Sequence, residues 1–176
     1  MHRQTGHNGD FSIWEPGNNR RRYRMDILEC VKELQQNRKL SNNDEIKRFE
    51  YAVESIMSTD KVNYLYYGFD DETEDEEVMF GLIHAIESYH GKIDKEVYFS
   101  IFIDETQKIV NEAREWVKLM NIRILNDNES LEAYIVTAKK YKNMVKNLLE
   151  DIIKEIITED AELFTKPATK FINGIK

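Results

Sequence analysis

The chain is poor in the residues that small secreted modules and most enzyme motifs depend on. It holds one cysteine, Cys30, in 176 residues, so an internal disulfide is excluded. The amphipathic run around Cys30 makes it a small core residue rather than a nucleophile. Prolines number two and glycines seven, and Gly6, Gly9, Gly17 and Pro16 all fall in the first 17 positions. Little is left downstream to punctuate the chain with turns. No apolar run approaches the roughly 20 residues that cross a bilayer, and no signal-peptide pattern opens the sequence. A cytoplasmic protein is expected. No glycine-rich phosphate loop, G-x-S-x-G elbow or zinc-ligand spacing occurs, so no cofactor and no metal site are assigned.

What is abundant is charge, at 33% of residues, with a formal net of −8. The distribution is uneven. Five arginines (Arg3, Arg20, Arg21, Arg22, Arg24) against Asp10 and Glu15 give residues 1–24 a net of +3, which leaves −11 for the remainder. Such a body repels nucleic acid and anionic membrane and attracts a basic partner. Residues 1–24 show no periodicity and are expected to be disordered or a leader segment, with Met25 a candidate start and Trp14 a candidate anchor.

From Met25 the apolar spacing is helical. Met25, Leu28, Val31 and Leu34 recur at three-residue steps. Ile46, Phe49, Val53 and Ile56 form a second stripe after a start signal at Ser41–Asn43, and Val62, Leu65, Tyr66 and Phe69 a short third. A capping pair, Thr73 and Glu76, precedes a helix with Met79, Leu82, Ile83 and Ile86 on its inner face. A fifth helix is expected over Lys95–Phe102. Asp104 is expected to cap a sixth that carries Trp116 on its apolar side, with the indole N–H in need of a partner. The long pattern from Leu131 to Ile156 should break near Lys139–Asn143. Pro167 and Gly174 suggest a loose tail over 161–176. "VYFSIFI" at 97–103 has strand composition, but one strand would have no partner. The expected fold is all-α: a single domain, residues 25–160, of about seven or eight helices in antiparallel hairpins, open to solenoid-like stacking.

The most concentrated feature is "GFDDETEDEEVMF". Seven of the eight residues from Asp70 to Glu77 are acidic. A calcium loop would need a central glycine and alternating oxygen ligands, and neither is present. Helix N-terminal placement accounts for two or three carboxylates at about 0.3–1 kcal/mol each. The excess is either ordinary solvated surface or a face for a basic partner. On the second reading the contact residues are Asp70, Asp71, Glu72, Glu74, Asp75, Glu76 and Glu77, with Phe80 and His84 on the outer side of the following helix. Glu87 and His90 have the E-x-x-H spacing of di-iron bundles, but the second copy is missing. Arg123 and Asn126 are suited to bonding helix ends or holding Asp70 or Asp71.

"FDDETEDEEVMFGLIHAIE" (69–87), "AREW" (113–116) and "RILN" (123–126), in that order, resemble the immunity protein 30 family of bacterial polymorphic toxin systems, over roughly Met25 to Ile157. The resemblance implies an all-α, non-enzymatic protein that binds and blocks a cognate protein toxin. It carries over no toxin-binding residue. Acidic helical surface suits a toxin with a basic face, such as a nuclease groove. The alternative is a helical interaction scaffold or homodimer with no toxin partner, for which exposed apolar groups beside Phe80 would serve.

Overall fold

The computed structural model describes residues 26–176. The expectations for residues 1–24, including Trp14 and the arginine cluster, lie outside them. The described residues form eight α-helices, one 3-10 helix and no strand: α1 (Ile27–Asn37), α2 (Asn43–Met57), the 3-10 helix (Val62–Gly68), α3 (Glu76–Glu87), α4 (Lys95–Ile109), α5 (Arg114–Leu125), α6 (Asn128–Ala138), α7 (Asn143–Glu159) and α8 (Ala161–Gly174). The fold is all-α, as the periodicity predicts.

Short polar side chains start most of these helices. Asn42, Asp75, Asp94, Asp127 and Asp160 each accept a hydrogen bond from a backbone N–H in the turn they open, which satisfies donors that a helix leaves orphaned. Leu40, in the turn between α1 and α2, has a left-handed backbone, φ 56°. That conformation costs a branched side chain about 1–2 kcal/mol. Its near-complete burial offsets this, since burying a leucine contributes about 1.5–3 kcal/mol.

Helices α1 and α2 pack on each other and on the 3-10 helix, which also meets α3 and α4. Helix α4 packs on α6, α5 on α6 and α7, and α7 on α8. One continuous core joins them, from Cys30 and Leu34 in α1 to Phe171 in α8. At its centre Tyr134 is fully buried between aromatic rings. It stacks on Phe171 with centroids 4.7 Å apart, and its hydroxyl donates to Asn121 Oδ1 at 3.1 Å.

Three expectations are corrected. Asp75, not Thr73, caps α3, accepting from Val78 N at 3.0 Å, while Thr73 Oγ1 is buried without a partner. The strand-like 97–103 segment is helical as expected, within α4. Asp104 lies inside that helix rather than at a new start, and its Oδ1 accepts from Tyr141 Oη at 3.0 Å; the chain breaks later, at Val110–Ala113. Residues 161–176 are not a loose tail. Pro167 sits inside α8, and Phe164, Ala168, Phe171 and Ile175 are buried at helical spacing. That stripe anchors the segment despite the lost N–H. The expected break falls where predicted, between Ala138 and Asn143.

Candidate functional site

The acidic run divides once folded. Asp70 is buried, and its Oδ2 receives Arg38 Nε at 2.9 Å. Its Oδ1 accepts from Glu72 N at 2.9 Å and its backbone carbonyl from Trp116 Nε1 at 3.0 Å. Trp116 thus finds the partner its indole requires. Asp71 accepts from Glu115 N at the start of α5. Glu72 pairs with Lys39 at 2.7 Å, whose ammonium holds that carboxyl below the usual range. Glu74 Oε1 accepts from Ser41 Oγ at 2.8 Å, and Asp75 caps α3. Five of the seven acids therefore hold the chain's own groups. Only Glu76 and Glu77 of the seven have side chains with neither a hydrogen bond nor an ion pair among the described residues, and both are exposed. Crowding alone does not require an external cation here.

The surface that stays open lies along α3. A helix turns about 100° per residue, so Glu77, Gly81 and His84 form its outer edge between two flanks. Val78 and Leu82 lean to α2. Phe80, Ile83 and Glu87 lean to α5. A recess lies on each side.

On the α2 side is a groove of about 480 Å³ lined by Phe49, Val53, Val78 and Leu82, with Glu50, Glu54, Asp75 and Glu77 around it. Glu50, Glu54 and Glu77 are exposed and have no ion pair among the described residues. Glu50 and Glu54 are a like-charged i,i+4 pair, which costs a helix a few tenths of a kcal/mol. Gly81 also lines this groove, and a Cβ built there meets nothing within 4 Å. Neither packing nor backbone conformation demands glycine at this mid-helix position.

On the other side is a cleft of about 430 Å³ between α3, α4, α5 and α6. Ile83, Ile86, Phe99, Phe102, Met120 and Ile124 give it apolar walls, and Glu87, His90, Tyr98, Arg123, Asn126, Asp127 and Ser130 add polar groups. Arg123 and Glu87 form a two-pronged pair, with Nη2 to Oε2 at 2.8 Å. The expectation that Arg123 holds Asp70 or Asp71 is therefore corrected: Arg38 and the start of α5 take those roles. Asn126 is the C-terminal cap of α5, its backbone N–H bonding to Ile122 O. Asp127 accepts from Ser130 N at 2.7 Å, which lowers its pKa.

The two outer-face candidates on α3 differ. Phe80 is 38% exposed, its ring edge to face with Trp116 at 5.6 Å between centroids. His84 is 65% exposed, its Nδ1 3.4 Å from Glu87 Oε2. Among the described residues no three His, Cys, Asp or Glu side chains are placed to hold a metal ion, and no helix is long and apolar enough to cross a membrane. Reasoning from sequence missed Glu50, Glu54, Gly81 and Tyr98. The like-charged pair on α2 and the lone mid-helix glycine were the available signals.

A family model described as immunity protein 30 matches residues 36–134. That span exceeds half of the 176-residue chain and includes α2 to α5 and both recesses. No curated protein and no solved structure matches. The chain belongs to the immunity protein 30 family.

Proposed function

We propose that this protein is a non-catalytic immunity protein that binds a cognate polymorphic toxin in the bacterial cytoplasm and blocks it. Contact is made along α3 and the acidic groove it forms with α2. The toxin presents a basic surface there, as a nuclease substrate groove would. Complementary charge of this kind speeds encounter.

The observation that carries the reading is Gly81. A glycine in a helix interior costs about 0.5–1 kcal/mol relative to alanine. The space around it accepts a Cβ freely, so the cost has no internal reason. A glycine on an exposed helix does allow another backbone to come close. It lies in the same groove as Glu50, Glu54 and Glu77, three exposed carboxylates with no ion pair among the described residues. The acids singled out earlier, Asp70 to Asp75, are mainly framework. Glu76 and Glu77 continue the contact surface, with Phe80 and His84 beside it.

The test is co-expression with the toxin encoded beside this gene. The wild-type chain should restore growth. Replacing Glu50, Glu54 and Glu77 together by lysine should abolish protection, slow association and flatten its salt dependence, with the thermal melt preserved. Failure of the wild-type chain to protect would refute the immunity reading. Protection with unchanged on-rate and salt slope in the triple variant would move the contact away from the groove.

A further inference from the structure

We infer that the cleft between α3, α4, α5 and α6 is an anchor pocket for a neutral aromatic side chain with a polar edge, a tyrosine or tryptophan presented by the bound toxin. The inference rests on the toxin-binding reading for the source of the ring, and on the cleft's own chemistry for its kind.

Tyr98 provides the independent observation. It lines the cleft and is 9% exposed, yet its hydroxyl has no hydrogen bond within the described residues. The side-chain atoms sealed from solvent without a partner are Thr73 Oγ1, Glu105 Oε2 and Thr106 Oγ1. The Tyr98 oxygen is not one of them, so it keeps an accessible edge at the cleft the residue lines, in electrostatic reach of Glu87 and Arg123. A ligand's polar edge can take the place of water there. Its ring is fixed edge to face against His90 and Phe99, at 5.1 and 5.2 Å between centroids, so the hydroxyl is held in place rather than free to turn away.

The remaining walls select the ligand. Ile83, Ile86, Phe102, Met120 and Ile124 call for an apolar body. Glu87 and Arg123 satisfy each other through two contacts. An incoming ion would have to break that pair and strand one member, which is costly in a part-buried site. A neutral group avoids this. A volume of about 430 Å³ falls within the range of small-ligand pockets and accommodates one ring system. Tyr and Trp are the side chains that combine an apolar ring with a hydrogen-bonding edge, and they dominate interface anchors.

The experiment uses the full chain with labelled Ile and Met methyls, titrated with p-cresol and with toluene as side-chain probes. Both should shift the methyls of Ile83, Ile86, Met120 and Ile124 saturably. Tyr98→Phe should weaken p-cresol about three- to tenfold, the size of one net hydrogen bond, and leave toluene unchanged. No saturable shift, or an equal loss for both probes, would overturn the pocket. These readouts need no toxin, so they stand apart from the growth assay. Toxin affinity then tests the source of the ring. Ile124→Phe, at a half-buried wall position with room to adjust, should exclude the probes and weaken the toxin at least tenfold. Exclusion of the probes with full toxin affinity would overturn the anchor role.

Discussion

Asp71 caps a helix to which it does not belong. Its two carboxylate oxygens accept from Glu115 N at 3.1 and 3.2 Å, in the first turn of α5. Its own backbone N–H donates to Glu112 O at 2.9 Å. Ala113, the residue before α5, offers no side-chain cap, so the acidic loop supplies the missing acceptor from across the fold. Two of the stretches that carry the sequence resemblance, "FDD" and "AREW", are joined at this point.

Asp71→Ala should therefore lower the unfolding free energy by about 0.5–2 kcal/mol, the usual value of a helix cap. Asp71→Asn should lose less. Glu77→Ala, which removes a carboxylate with no internal partner, should stay within about 0.5 kcal/mol of wild type. Urea titrations of the three variants separate framework acids from surface acids. Equal effects at both positions would contradict the division.

Arg38 bridges Asp70 and Glu112, at 2.9 and 2.6 Å. Asp70 is the more enclosed partner, its side chain 10% exposed. Removing Arg38 leaves that carboxylate without its cation, a loss of about 3–5 kcal/mol where burial is complete and less at this partly open site. Arg38→Leu should be clearly destabilising, and adding Asp70→Asn should recover part of the loss by removing the stranded charge. A double-mutant cycle reads this coupling directly. Strict additivity would show that the pair does not act as one unit.

The legible and illegible parts of this molecule separate by distance along the chain. Helical stripes such as Phe49–Val53–Ile56 and Leu131–Tyr134–Ala138 depend on neighbours three or four residues apart, so their elements are read correctly. The C-terminal helix was masked by one residue: Pro167 suggested a stop, although Phe164, Ala168 and Phe171 keep the helical period. Asp104 looked like a cap because aspartate favours that position, yet packing of Phe102, Ile103 and Thr106 carries α4 past it. The acidic run was visible as charge, but its partners Arg38, Lys39 and Ser41 lie some thirty residues earlier and Glu115 over forty later. The groove needs Glu50 and Glu54 of α2 opposite Glu77 and Gly81 of α3, and the cleft needs four helices at once. Neither arrangement leaves a local pattern.

Several carboxylates are held below their ordinary pKa by contacts made only in the folded chain. Glu155 is lowered by Arg114, Glu150 by Lys154, and Asp127 by the backbone N–H of Ser130. A depressed folded pKa means the unfolded chain takes up the proton first as acid is added. The stabilisation is complete above the unfolded values, 4.5 for glutamate and 3.8 for aspartate, and is lost as pH falls through the lower folded values. The melting temperature should be level from neutral pH to about 5 and fall steeply below about 4.5. Glu155→Gln should melt lower at pH 7 and decline less in acid, so that the two curves converge. Parallel curves would show that the Arg114–Glu155 pair contributes nothing pH-dependent.

Gly81 allows stability and binding to be moved in opposite directions. Alanine at this exposed mid-helix position removes backbone freedom from the unfolded chain and meets no neighbour within 4 Å, so Gly81→Ala should stabilise the fold by about 0.5–1 kcal/mol. Gly68 and Gly174 make the contrast. A Cβ at Gly68 would lie 2.9 Å from Leu82 Cδ2, and one at Gly174 2.6 Å from Ile135 Cγ2. Alanine there forces core side chains apart and should cost about 1–3 kcal/mol. If the groove receives the toxin, a larger residue at 81 obstructs it while leaving α3 intact. Gly81→Arg also places a positive charge among Glu50, Glu54 and Glu77. It should melt no lower than wild type and fail to protect cells from the toxin. Protection by a well-folded Gly81→Arg chain would remove the reason for placing the toxin in the groove.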